Sequence, residues 1–178
     1  MKTLLSIDID WVQNPEQCKK LIKIVGPIIK KTNFKEPLFC QTHKEIEKII
    51  GKQKEPIYVV NVDHHHDLQY PNASISRKGL TSGNWLGYYL MEGKISGATW
   101  ICNHNSLMNE FTNWGDAKTL EDDMISIDPE LAAIENFKYD WLFVCLSPHY
   151  LNNNPSAWCA FDALRYLTDM HAEDKKNE

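Results

Sequence analysis

The residues best suited to chemistry in this 178-residue chain lie in one stretch. Ile57-Tyr58-Val59-Val60-Asn61-Val62 runs directly into Asp63-His64-His65-His66-Asp67-Leu68. The first half has the composition of a buried strand in an α/β sheet. The second half crowds ionisable side chains at that strand's exit. If the backbone stays extended, the side-chain period is two, so Asp63, His65 and Asp67 leave one face and His64 and His66 the other. Open α/β sheets hold ligands at the C-terminal ends of their strands. Asp-x-His-x-Asp at such an end reads as a set of metal ligands, with a solvated polar loop as the plain alternative.

A second acidic pair supports the metal reading. Thr3 to Ile9 has the pattern of a buried strand, and Asp8 and Asp10 share a face at its exit. Asp is depleted in strands, so this pair marks either a metal site or a strand end at the surface. His43 follows a short strand over residues 36–41 and falls in the first turn of a helix, His43 to Ile50. A lone histidine there is ordinarily neutral and packed or solvated; the two clusters make it a third candidate. Glu45, three residues after Thr42, has a capping-box position that explains it without chemistry. Asp8, Asp10, Asp63 and Asp67 with His43 and His65 offer four carboxylates and two imidazoles. Four carboxylates balance two divalent ions, and an oxygen-rich site with one imidazole per metal suits two Mn²⁺ ions better than a thiolate zinc site. Paired ions of this kind activate a shared water, so the expected class is metal-assisted hydrolysis.

Strand and helix patterns alternate about six times along the chain, predicting a single-domain, three-layer α-β-α architecture with a mostly parallel sheet over residues 1–172. Asn14-Pro15-Glu16 starts a helix to about Lys31, kinked at Gly26-Pro27. A long loop, Gln69 to Leu80, follows the central strand; its Arg77 and Lys78 are solvated or face a substrate's anionic groups. Trp85 to Met91 is a short helix opened by Ser82-Gly83-Asn84. Ile95 to Cys102, Met124 to Ile127 and Asp140 to Leu146 are strands. Ser106 to Trp114 reads as helical, and Asp116 to Asp123 as an acidic loop. Asp128-Pro129-Glu130 starts a short helix to Glu135, which explains Asp128 as a cap. Asn154-Pro155-Ser156 caps the last helix to about Met170, and the tail, 173–178, is expected to fray.

Composition excludes some classes. The hydrophobic content is 43% and the charged content 24%, ordinary globular values. No apolar run approaches the roughly 18 residues of a membrane span. The opening residues meet Asp8 and Asp10 too early for a secretory apolar region, and the five scattered cysteines (18, 40, 102, 145, 159) read as reduced thiols of a cytoplasmic protein. A net charge of −5 argues against nucleic acid as a partner.

The motifs resemble those of the arginase/ureohydrolase superfamily, which also contains the deacetylases. Asp63-x-His65-x-Asp67 is similar to its Asp-x-His-x-Asp motif and Ser6-x-Asp8-x-Asp10 to its Ser-x-Asp-x-Asp motif. His43 resembles its single upstream histidine ligand. Ser82-Gly83-Asn84 resembles the segment that contacts the substrate's amino-acid end. Thr42-His43-Lys44-Glu45, Asn61 to Leu68 and Asn84-Trp85-Leu86 look like the small branch that contains the peptide arginases. The resemblance implies a dimanganese enzyme that hydrolyses the arginine side chain of a precursor peptide to ornithine and urea. It implies Ser82 and Asn84 as substrate contacts. Asp67, as ligand and hydrogen-bond acceptor, would orient the nucleophile.

Two departures stand out. The Ser-x-Asp-x-Asp motif comes first here rather than late, which implies a circularly permuted strand order. The proton-transfer histidine expected two residues after Asn84 is Leu86. His66, His104 and His149 are its possible substitutes. The family's turn equivalent to Ser147-Pro148 would put Cys145 where a carboxylate holds the guanidinium. Two other enzymes fit part of the pattern. Val62-Asp63-His64-His65 resembles the signature of Asp-His-His phosphoesterases, and one aspartate-histidine-aspartate set suffices for a single-zinc deacetylase. A non-enzymatic metal- or partner-binding module is the third alternative. Oligomeric state is not legible.

Overall fold

The computed structural model describes residues 1–68, 79–103, 106, 124–151 and 153–176. The loop over 69–78, with Pro71, Asn72, Ser74, Ser76, Arg77 and Lys78, lies outside the described residues. So do His104, Asn105, the remainder of 106–114, the acidic stretch 116–123 and residues 177–178.

Six strands are described: β1 (Thr3–Asp8), β2 (Leu38–Cys40), β3 (Ile57–Val62), β4 (Ile95–Ile101), β5 (Ile125–Asp128) and β6 (Trp141–Cys145). The α-helices are α1 (Pro15–Lys31), α2 (Glu47–Ile50), α3 (Trp85–Met91) and α4 (Pro155–Lys176). The strands make one sheet in the order β2-β6-β1-β3-β4-β5, and every pairing is parallel. The α/β sheet read from the alternation is thus wholly parallel, and helices cover both faces. No described helix is long and apolar enough to cross a membrane.

The two covers follow from strand periodicity. Leu5 and Ile7 of β1, Val60 and Val62 of β3 and Leu142 and Val144 of β6 point to α1 and α4. Leu4, Ile57, Val59, Trp141 and Phe143 alternate with them and pack on the other side against α2 and α3. Both faces are apolar, so the strands read as unbroken hydrophobic runs. α1 starts as expected: Asn14 accepts a hydrogen bond from the Gln17 amide at 2.9 Å, and Pro15 takes the first helical position. Pro27 lies inside α1 without ending it.

Four local readings are corrected. β2 is only three residues long. Residues 43–50 begin as a 3₁₀ turn, His43–Ile46, that runs into α2, and Thr42 gives no side-chain cap. Glu45 instead pairs with Lys48 at 2.6 Å on the exposed face. Asp128 ends β5, and the helix after it is a 3₁₀ segment, Leu131–Asn136. α4 continues through Lys176, because Ala172, Glu173, Lys175 and Lys176 favour helix and no Gly or Pro interrupts them.

Sheet order and register place the site. From β1 the chain crosses to β2 at one edge; from β3 it moves the opposite way to β4. The sheet therefore changes winding direction between β1 and β3, where open α/β sheets form their ligand crevice. Ile7 pairs with Val62, and Asp8 with Cys145. The residues that follow these pairs leave β1, β3 and β6 side by side at one edge.

Candidate metal centre

Asp8 ends β1 and accepts the Asp10 amide at 3.1 Å, starting a single 3₁₀ turn, Ile9–Trp11. This turn, rather than continued strand, swings Asp10 back over the sheet edge. The strand periodicity assumed for Asp63 to Asp67 is likewise overturned. β3 stops at Val62 and the chain bends. Asp63 accepts the His65 amide at 2.8 Å, Asp10 accepts the His64 amide at 3.3 Å, and Asp67 takes a left-handed φ of +54°. A non-glycine residue in that region is strained and persists where its surroundings over-determine it. Gly87 of α3 supplies part of the constraint. Its amide donates to the Asp67 carbonyl at 3.2 Å, and a Cβ on it would lie 3.3 Å from Leu68 Cα.

The separation of side chains survives the change of backbone. Asp63, His65 and Asp67 join the cluster, whereas His64 and His66 turn away. His64 Nδ1 lies 3.0 Å from Ser106 Oγ and 3.2 Å from Asn103 Nδ2. His66 is buried, accepts the Leu68 amide at 2.9 Å on Nδ1, and meets the Trp100 ring edge-on.

His43 reaches the cluster from the turn after β2. Its Nδ1 stands 3.0 Å from Asp8 Oδ2, 3.1 Å from Asp67 Oδ2 and 3.6 Å from Asp63 Oδ2. Its Nε2 faces Ser6 Oγ at 3.3 Å, so Nδ1 is the nitrogen presented to a metal while Ser6 steadies the ring. The imidazole stacks on Phe143 at 5.4 Å and tilts against Trp85 at 5.2 Å. His65 Nδ1 lies 2.9 Å from Asp10 Oδ2 and 4.0 Å from Asp63 Oδ1.

Three ligand groups result among the described residues: His43, Asp63 and Asp67; Asp10, Asp63 and His65; and Asp8, His43 and Cys145. Within each, one ligand atom per residue lies within 4.8 Å of the others. Asp63 belongs to the first two, and His43 links the first to the third. Asp8, Asp10, Asp63, Asp67 and His43 are all buried, so four carboxylates share one imidazole as their buried neutraliser. Burial raises the pKa of Asp63 well above the usual range, and Asp67, Asp10 and Asp8 push it further; burial and then Asp10 raise that of Asp8. Burial works against the charge on His43, but attraction to Asp8 and hydrogen bonds to Asp67 and Asp8 outweigh it, so its pKa rises well above the ordinary imidazole value. Charges buried with so little compensation are costly and call for a cation. Asp10 Oδ2 meets no hydrogen-bond donor in good geometry and instead confronts His65 Nδ1. Two ligand atoms facing each other in this way fit a shared cation. The donor set, oxygen-rich with one imidazole per group, fits Mn²⁺.

Some contributors were not picked out from sequence. Trp85 Nε1 donates to Asp67 Oδ2, and Ser147 Oγ to Asp8 Oδ2. Asn61 Nδ2 donates to Asp63 Oδ2 at 3.2 Å, and Trp100 Nε1 to the Asp63 carbonyl at 3.0 Å. The legible signal was parity: Ser6 and Asn61 are buried polar residues two positions before Asp8 and Asp63, on the face they share. Replacing Trp85 by phenylalanine is expected to weaken Mn²⁺ binding about 10- to 100-fold with the sheet intact, because Asp67 loses the donor that orients it. Manganese titration followed by calorimetry measures this.

The cluster floors a cavity of about 320 Å³. Thr81, Ser82 and Gly83 line it before α3; Ser147 and Tyr150 line it after β6. Ser82 is therefore where a substrate contact would be. Asn84 is not on the wall: its side chain accepts the Thr81 amide at 2.7 Å and donates to the Gly79 carbonyl at 3.0 Å. His149 is exposed and also off the wall, and His66 is buried behind it. Tyr150 occupies the turn instead, its ring centroid 5.0 Å from that of His65. Cys145 is buried beside Asp8 and His43 with Sγ 3.2 Å from Ser147 Oγ, and burial pushes its thiol pKa far up. No family model, curated protein or solved structure matches this chain.

Proposed function

We propose that the chain is a two-metal hydrolase of a guanidino group, a peptide arginase that converts peptidyl arginine to ornithine and releases urea. The observation that carries this reading is that Asp63 belongs to two adjoining ligand groups, one with His43 and Asp67 and one with Asp10 and His65. His43, Asp67 and Asp8 would hold one Mn²⁺ with Asp63; Asp10 and His65 would hold the other with it. Bound there, the ions supply a nucleophile from water at neutral pH and offset the charge that develops as it attacks.

The protein's own groups handle the rest. Four carboxylates would offset the charge of two divalent ions, so the floor would not repel a cationic side chain. Asp67, held by Trp85 and the strained backbone, orients the attacking water toward the guanidinium carbon. Hydroxyls of Thr81 and Ser82 line the path of the side chain. The bond to the side-chain nitrogen breaks, and the departing amine takes up a proton. His66 and His149 stand off the wall, and His104 lies outside the described residues. An opening at exposed Tyr150 suits an arginine presented on a precursor peptide. The cytoplasm, which keeps thiols reduced, suits the five free cysteines.

Metal analysis joined to mass spectrometry tests the reading. The purified protein is expected to bind two Mn²⁺ per chain and to lower the mass of an arginine-containing peptide by about 42 Da, the loss of one carbon, two nitrogens and two hydrogens, with urea released. One zinc per chain with deacetylation of an acyl-lysine peptide, or phosphate release from short oligonucleotides, would replace it.

A further inference from the structure

We propose that Tyr150 and the Thr81-Ser82-Gly83 segment form a slot that selects a flat cation, with the Tyr150 ring as the specificity-determining surface. The inference rests on the guanidino-hydrolase reading and names the group that recognises its substrate.

The two sides of the slot are built independently. β6 and β3 flank β1 on opposite sides, and the chain leaves β6 toward Tyr150 and reaches Thr81 after β3. Ser147 turns the chain with a left-handed φ of +46°, and its carbonyl accepts the Tyr150 amide at 3.0 Å. This brings Tyr150 to the cavity wall, its ring tilted 52° to the His65 ring and the residue still 57% exposed. A half-bare aromatic face at the edge of a carboxylate-floored cavity has an evident ligand. The other side is small and polar, and Asn84 fixes it from behind through Thr81 and Gly79. Asn84 is thus a positioning residue for the slot wall rather than a substrate contact.

Attraction by carboxylates does not distinguish one cation from another. Shape and hydration do. A guanidinium is planar, weakly hydrated and stacks on aromatic faces, whereas an ammonium is compact and strongly hydrated. A ring on one side and small residues on the other let a plate stack at little desolvation cost, whereas an ammonium, though drawn to the ring as well, must shed more water and makes less contact. The slot therefore separates arginine from lysine side chains, a task the metal ligands cannot perform.

Titration calorimetry of the manganese-loaded full chain with methylguanidinium chloride and with methylammonium chloride tests this. The wild-type protein is expected to prefer methylguanidinium by about tenfold or more. Tyr150→Ala is expected to weaken methylguanidinium binding about tenfold and erase most of the preference, while Tyr150→Phe, which keeps the ring, recovers it. Equal affinity of the wild type for both cations, an undiminished preference in Tyr150→Ala, or a loss in Tyr150→Phe as large as in Tyr150→Ala would overturn the slot. If the preference and its loss are found but no urea is released from an arginine peptide, the slot stands and the hydrolase reading falls.

Discussion

Replacing Asp63 by asparagine is expected to abolish binding at both metal positions at once and to lower hydrolysis by on the order of a thousandfold or more. Asp63 is fully buried and belongs both to the group with His43 and Asp67 and to the group with Asp10 and His65. Asparagine keeps its size and can accept from the His65 amide on its one carbonyl oxygen; its amide nitrogen then faces Asn61, whose own amide must flip to present the oxygen that is otherwise unpaired. The same change is expected to raise the stability of the metal-free protein by about 1–3 kcal/mol at pH 8, because one of four crowded carboxylates no longer has to be ionised in a buried site. The sign thus reverses with the metal: without Mn²⁺ the variant melts above the wild type, and with Mn²⁺ below it. Thermal melts of both proteins in chelator and in excess Mn²⁺, with metal analysis, decide the matter. A variant that retains two ions would refute the shared-ligand assignment.

The second large effect is on metal removal and pH. At a hundredfold excess over its dissociation constant, each bound ion stabilises a fold by about 2.7 kcal/mol. Two sites together should raise the melting temperature of a chain this long by roughly 10–20 °C over the chelated protein at neutral pH. Without metal the three shifted groups act with one sign. Asp8, Asp63 and His43 all have pKa values above the ordinary ones, so the folded state holds protons that the unfolded chain releases. The stability they contribute is complete below about pH 4, the ordinary carboxylate value, and is lost as pH rises through the raised values. The chelated protein should therefore melt lower at pH 8 than at pH 5. Metal binding, which requires the ligands deprotonated, should strengthen over the same interval. A chelated protein that melts higher at pH 8 than at pH 5 would contradict the burial of these groups without a cation.

Several features were legible from the order of residues. The unbroken apolar runs of β1, β3 and β6 imply strands covered on both faces, and the alternation with helices implies a parallel sheet. Asn14-Pro15 states where α1 begins. Asp8, Asp10, His43, Asp63, His65 and Asp67 were identifiable because charged residues at the exits of apolar strands need a partner.

The folded chain decided matters that local pattern does not contain. Asp63 to Asp67 converge through bends, a carboxylate-to-amide bond and a left-handed residue, not through strand geometry. His66 and His149 resemble any other histidine in sequence; only packing puts one behind the site and the other in solvent. Asn84 sits in a motif that suggests substrate contact, yet its side chain is used up by Thr81 and Gly79. Tyr150 and Ser147 gain their places from long-range register, since β6 is aligned with β1 more than a hundred residues away in the chain. Residue type and spacing therefore determined which groups can bind a metal, because that depends on chemistry within a few residues. Which of them share an ion, and which ring lines the cavity, depends on strand order and crossing segments, which only the tertiary structure supplies.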